Sequence, residues 1–207
     1  MSGREMDAEA METEAPSETK SIVLVGVGGQ GILLASEILA RAAMLEGFEV
    51  KTNEVHGMAQ RGGSVVAQVR YGPVVYSPLV ARGKAQVLGA LEQIEALRFA
   101  EYLRPDGLAV VNAQDIVPVS VSSGAAKYPS DVESLLKAAF PRLAYIQAGE
   151  AAAQLGSLQA TNIVALGAVS KGLDLPERAW QEAIVSSVKE KFRELNLRAF
   201  EKGRSMV

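Results

Sequence analysis

Apolar positions along this chain fall into short unbroken runs and longer stretches of helical spacing, punctuated by glycine and proline. The first run, Ser21–Val25, is mostly β-branched or aliphatic and stops at glycine, which predicts a short buried strand. From Ile32 the apolar residues recur as Ile32, Ala35, Leu39 and Ala42, the period of an amphipathic helix that reaches about Glu46 and stops at Gly47. Phe48–Asn53 predicts a second strand, hence a β-α-β start with the two strands as a parallel pair. Val65, Ala67, Val69 and Tyr71 then alternate with Val66, Gln68 and Arg70, a strand pattern. Gly72-Pro73 turns the chain, and Val74–Ser77 is expected to return as the hairpin partner.

Further strands are predicted at Lys84–Leu91, Leu108–Asn112 and Leu143–Gln147, with a short one at Val117–Val121. Helices are predicted at Glu92–Leu103, from Pro129-Ser130-Asp131 to Phe140, and at Gly149–Leu155, and Pro105-Asp106-Gly107 reads as a turn. Leu158–Lys171 is apolar nearly all round, as a buried helix would be. Pro176 suits the first turn of one long final helix with Trp180, Ile184, Val188 and Leu195 along one side. Alternating strands and helices define the α/β class. The expected fold is a Rossmann-like three-layer domain with a mostly parallel sheet, an inserted β-hairpin and C-terminal packing helices. It covers residues 21–203 as a single domain. Residues 1–20, rich in Glu, Ala and Ser without an apolar stripe, are expected to be a disordered acidic tail.

Between the first strand and helix lies G-V-G-G-Q-G, with Gly26, Gly28 and Gly31 at the glycine positions of a G-x-G-x-x-G turn and Gly29 and Gln30 between them. Such a turn either presents amides at the helix start to a phosphate or carboxylate, or serves only to pack helix on strand. Both readings remain open here. In a dinucleotide-binding plan an acid near the end of the second strand holds the ribose, and Glu54 stands close to that place. A hairpin where the second helix should follow argues against that plan.

Composition narrows the chemistry. With a net charge of −3 the chain lacks the basic excess that nucleic acid or an anionic membrane attracts, so neither is an expected partner, and no apolar run is long enough to span a bilayer. Without a basic-then-apolar leader, the expected location is the cytoplasm. The sequence holds no cysteine and one histidine, so this chain offers neither a thiolate nucleophile nor cysteine ligands for an iron–sulfur cluster, and no ordinary zinc set.

Several blocks together resemble the gamma-type domain of 2-oxoacid:ferredoxin oxidoreductases, in particular the beta subunits of the indolepyruvate type. They are G-V-G-G-Q-G at Gly26–Gly31, E-V-H-G-M-A-Q-R-G-G at Glu54–Gly63, V-Y-S-P at Val75–Pro78, E-A-L-R at Glu95–Arg98, Y-L-R-P-D-G-L at Tyr102–Leu108 and T-N-I-V-A-L-G at Thr161–Gly167. The resemblance implies a complex that oxidatively decarboxylates a 2-oxoacid, such as an aryl pyruvate, with coenzyme A as co-substrate, and passes electrons to ferredoxin. It implies that this chain binds no cofactor alone and has no catalytic residue. Thiamine diphosphate, magnesium and [4Fe-4S] clusters would lie in a large catalytic (alpha) subunit, through which ferredoxin is reached. Candidate ligand- or partner-facing residues are Gly26, Gly28, Gly29, Gln30, Gly31, Glu54, His56, Gln60, Arg61, Gly62 and Gly63. His56 is either a proton donor or substrate contact across a subunit boundary, or a loop histidine holding local structure. Arg61, flanked by Gly62 and Gly63, either clamps a carboxylate or phosphate of the oxoacid or coenzyme A, or bridges to the partner. Asn162, inside an apolar helix, needs a partner and is expected to tie down a loop carbonyl. The competing reading is a free-standing Rossmann-type NAD- or FAD-binding protein; a scaffold without any ligand is a third.

Overall fold

A computed structural model describes residues 18–56, 63–116, 129 and 131–207. Within these, the chain runs through strand β1 (Lys20–Val27), helix α1 (Ile32–Leu45), β2 (Glu49–His56), β3 (Ser64–Gly72), β4 (Ala85–Ala90), α2 (Gln93–Arg98), β5 (Leu103–Asn112), α3 (Val132–Ala139), β6 (Leu143–Ile146), α4 (Ala148–Gln154), α5 (Thr161–Ser170), α6 (Glu177–Ser187) and α7 (Arg193–Arg204). One six-stranded sheet has the order β2-β3-β1-β4-β5-β6. The β1–β4, β4–β5 and β5–β6 pairs are parallel, and β3 is antiparallel to both β1 and β2.

Alternation along β1 explains the layers. Ile22 and Leu24 point into an apolar cluster with α1, α4, α5, α6 and α7, whereas Val23 and Val25 point into the opposite cluster with α2 and α3. The central strands are therefore buried on both faces, the condition under which strands read as continuous apolar runs. The expected α/β class, the three layers and the C-terminal packing helices are all present.

Four local expectations differ. The two strands flanking α1 do run parallel, but they are not neighbours: β3 threads between them, pairing Tyr71 with Lys20 on one side and with Val50 on the other. The hairpin is consequently β2–β3, and Val74–Ser77 adds no strand; its backbone is held by strand side chains instead, with Val75 N–H donating to Glu49 (2.9 Å) and Arg70 donating to the Ser77 carbonyl (2.8 Å). Pro105-Asp106-Gly107 lies within β5 rather than before it. The register steps from Ala85–Leu103 to Val87–Leu108, so the turn residues are a bulge in the strand. The final helical region is two helices, since Val188 and Lys189 take extended backbone angles between α6 and α7. That break lets α7 fold back on α5, where a Cβ on Gly203 would lie 1.8 Å from the Val164 carbonyl oxygen and one on Gly167 would lie 2.1 Å from that of Phe200. The backbones touch there, and only glycine permits it. Trp180 is wholly buried, as its spacing predicted, and stacks at 5.5 Å on Phe200. The predicted strand at Val117–Val121 and most of the predicted tail lie outside the described residues.

Candidate functional site

The chain leaves β1 into α1 on one face of the sheet and leaves β4 into α2 on the other. The carboxyl ends of these adjacent parallel strands thus form a topological switch point, where α/β sheets open a crevice. The glycine turn stands there. Gly29 and Gly31 have positive φ (102° and 82°), and Gly31 begins α1 without a side-chain cap. A Cβ on Gly26 would meet the Gln30 amide oxygen at 2.7 Å, and one on Gly31 would meet the Asn162 amide nitrogen at 2.5 Å.

These contacts show how the turn is closed. Gln30 folds back over it, accepting from Val27 N–H (2.7 Å) and donating to the Leu91 carbonyl (2.9 Å) and the Gln114 side-chain oxygen (3.1 Å). Asn162, at the start of α5, donates to the Gly31 carbonyl at 3.2 Å, the loop-carbonyl role its buried position called for. The Gly28 amide, which a phosphate would need, donates to the Gly63 carbonyl at 2.8 Å. The two best-matched sequence blocks therefore meet at a backbone hydrogen bond. Next to it, the Ser64 hydroxyl donates to the buried Glu95 carboxylate, which also accepts from Arg98 at 2.6 Å.

A crevice of about 240 Å³ opens beside the turn, lined by Gly29, Gln30, Leu91 and Gln114 on one side and Leu158, Gln159 and Asn162 on the other. Among the described residues its lining carries no charge. Gln114 uses its side-chain oxygen to accept from both Gln30 and Asn112 (3.2 Å), which turns its amide N–H₂ away from them. Neutral hydrogen-bonding groups fit such a wall better than a phosphate.

Of the predicted site residues, Gly26, Gly28, Gly29, Gln30, Gly31 and Gly63 come together. Glu54 and His56 do not join them: both are exposed on β2, with β3 between them and β1, so two strand spacings, roughly 9–10 Å, separate them from the turn. Glu54 accepts from Ser36 of α1 at 2.8 Å. Gln60, Arg61 and Gly62 lie outside the described residues. Asn112, Gln114 and the Glu95–Ser64 pair were not foreseen, although Asn112 ending the apolar run of β5 and two acids opening α2 were visible signals. Among the described residues no group of three or more His, Cys, Asp or Glu side chains is placed to hold a metal. No described helix is long and apolar enough to cross a membrane.

Fold and site together define an α/β domain of the switch-point type whose glycine turn is closed by its own chain. It carries no metal-binding set among the described residues. The chain belongs to the pyruvate ferredoxin/flavodoxin oxidoreductase family, whose model matches residues 21–206. It is 45% identical to an indolepyruvate oxidoreductase subunit IorB of Archaeoglobus fulgidus, over 88% of this chain and 92% of that one. It is 43% identical to the subunit of the same name from Thermococcus kodakarensis, over 88% of this chain and 93% of the relative. Among solved structures, the gamma subunit of a keto/oxoacid ferredoxin oxidoreductase from Geobacter sulfurreducens superposes with a TM-score of 0.67 at 26% identity, covering 90% of this chain and 97% of that one.

Proposed function

We propose that this chain is the small, non-catalytic subunit of an indolepyruvate-type 2-oxoacid ferredoxin oxidoreductase. The observation that carries the reading is the closed glycine turn in a chain without cysteine: Gly28 N–H is taken by Gly63, and there is no cysteine thiolate to hold a [4Fe-4S] cluster. The redox centres then belong to a large catalytic subunit, which holds thiamine diphosphate, magnesium and the [4Fe-4S] clusters and delivers electrons to ferredoxin in the cytoplasm. The complex converts an aryl pyruvate and coenzyme A to an acyl-CoA and carbon dioxide. This subunit supports the large one and borders its substrate or coenzyme A channel with Glu54–Gly63, where Arg61 suits a phosphate or carboxylate and His56 is the single imidazole. The other candidates shape the turn, Gly26, Gly29 and Gly31 by their backbone and Gln30 by its hydrogen bonds.

The NAD or FAD alternative lacks its geometry. The amide that should meet the pyrophosphate is occupied, and the acid that should meet the ribose stands one strand too far out.

The test is co-purification of a tagged copy with its partner, assayed for thiamine diphosphate, iron and indolepyruvate-dependent reduction of a viologen dye. Activity that requires both chains supports the proposal. A partnerless monomer carrying bound nucleotide would overturn it.

A further inference from the structure

An apolar patch stands where the chain enters β1. The Thr19 hydroxyl donates to the Val74 carbonyl at 3.0 Å, so the base of the amino-terminal segment is held against the stretch that follows β3. On that stretch Val74 is 49% exposed, Tyr76 91% and Leu79 60%, the kind of cluster that marks a contact surface. Because β3 runs antiparallel to β1, the patch lies at the opposite end of β1 from the glycine turn. Charge around it is positive. Beyond Glu18 at the tether itself, the nearby acids are already matched: Glu49 pairs with Lys51 at 3.2 Å, Glu101 with Arg82 at 3.1 Å and Asp174 with Lys20 at 2.9 Å. Arg70, which donates to the Ser77 carbonyl at 2.8 Å, and the exposed Lys84 have no acidic partner among the described residues.

We infer that this patch is the docking site of the chain's own residues 1–17, with methionines against Tyr76 and Leu79 and carboxylates toward Arg70 and Lys84. The segment has the matching chemistry. It carries Glu5, Asp7, Glu9, Glu12 and Glu14 against Arg4 alone, and Met6 and Met11 are unbranched apolar side chains that adapt to an irregular surface. The tether chooses the occupant. Thr19 and Met11 are eight residues apart, a flexible-chain distance of about 15–17 Å, and the patch begins at the tether itself. A segment so joined has an effective concentration in the millimolar range, whereas a separate chain loses translational and rotational freedom to reach the same place. Single exposed ion pairs are weak, so several charges hold the contact together and salt loosens it.

The test places photoreactive p-benzoylphenylalanine at Tyr76 of the full chain. The protein is irradiated alone and in complex with the large subunit, and the products are mapped by trypsin digestion and mass spectrometry. The same probe at Leu158, exposed beside the glycine turn, is the control. The expected product is a link within one chain to the tryptic peptide Glu5–Lys20, at least about fivefold more abundant from position 76 than from position 158. Its yield is expected to fall at least about threefold at about 1 M salt, where the screening length is about 3 Å. Changing the five tail acids to amides (Glu5→Gln, Asp7→Asn, Glu9→Gln, Glu12→Gln and Glu14→Gln) is expected to lower the yield in the same way. No link to that peptide, equal yields from the two positions, or a yield indifferent to both salt and tail charge would overturn the inference. A link chiefly to a second copy of the chain would overturn it in favour of a dimer contact. A link chiefly to the large subunit would overturn it in favour of the subunit interface. The arm on the chain alone reads out whether or not a large subunit binds, so failure of the subunit reading is told apart from failure here.

Discussion

Gln30→Glu replaces one amide nitrogen by oxygen in the side chain that closes the glycine turn, at almost no change of shape. The oxygen that accepts from Val27 N–H is kept. The nitrogen that donates to Leu91 O and Gln114 Oε1 becomes a second oxygen facing two acceptors at 2.9 and 3.1 Å. Two hydrogen bonds at about 1 kcal/mol each are lost, and repulsion between partly buried acceptors adds about as much as one more, for a total of about 2–3 kcal/mol at pH 7. A protonated carboxyl restores one donor. The folded-state pKa of the new acid is therefore raised above that of an unfolded glutamate, about 4.3. By linkage, its stability matches wild type most closely below that value and falls as pH rises through the raised folded value. Urea unfolding followed by circular dichroism at pH 4 and pH 7 measures this, as a deficit of about 1 kcal/mol at the lower pH, for the one donor not restored, and about 2–3 kcal/mol at the higher. In melting temperature the neutral-pH deficit is about 6–10 °C for a chain of this size. A variant as stable as wild type at pH 7, or one whose deficit is the same at both values, would refute the argument that this amide closes the turn.

Gly203→Ala drives a methyl into the Val164 carbonyl and is expected to cost about 3 kcal/mol or more, whereas Gly149→Ala, in α4 with open space around it, is expected to be neutral or to stabilise by up to about 1 kcal/mol; thermal melts compare the two. Tyr71 is wholly buried, its hydroxyl has no hydrogen-bond partner among the described residues, and burial raises its pKa, so the unfolded chain ionises first and stability is lost as pH climbs above about 10. Tyr71→Phe is expected to be no less stable at pH 7 and to remove part of that alkaline loss, as denaturant titrations at pH 8 and 10.5 will show. Gly31→Ala strains a positive φ and also strikes Asn162, so it is expected to lose about 1–2 kcal/mol more than Gly29→Ala, which strains φ alone.

Local chemistry announced itself in the sequence and distant pairing did not. The strand–turn–helix of residues 20–45, the stop at Gly47, the buried Trp180 and the Asn162 tie all follow from spacing, backbone freedom or the need of a buried amide for a partner. The place of β3 does not. Its alternation says that one face is buried but not which strands lie beside it, and its insertion between β1 and β2 moved Glu54 and His56 away from the turn. The bulge at Pro105–Gly107 was legible as a change of direction, yet the flanking pairs to β4 keep it inside a strand. Val188 and Lys189 are compatible with helix, and it is the close approach of Gly203 to α5 that makes a break there worthwhile. Gln114 and Glu95 were silent because their roles depend on neighbours 84 and 31 positions away in sequence, Gln30 and Ser64.

The bond from Gly28 to Gly63 also makes the chain self-reporting. It staples the ends of a 28–63 circuit that contains all of α1 and β2, so one amide proton records whether that circuit is shut. Anything that seizes the Gly63 end must first release that proton to water, and its exchange with deuterium would quicken while the surrounding strands stay protected. Assembly with a partner would thus be timed from a single backbone amide of this chain.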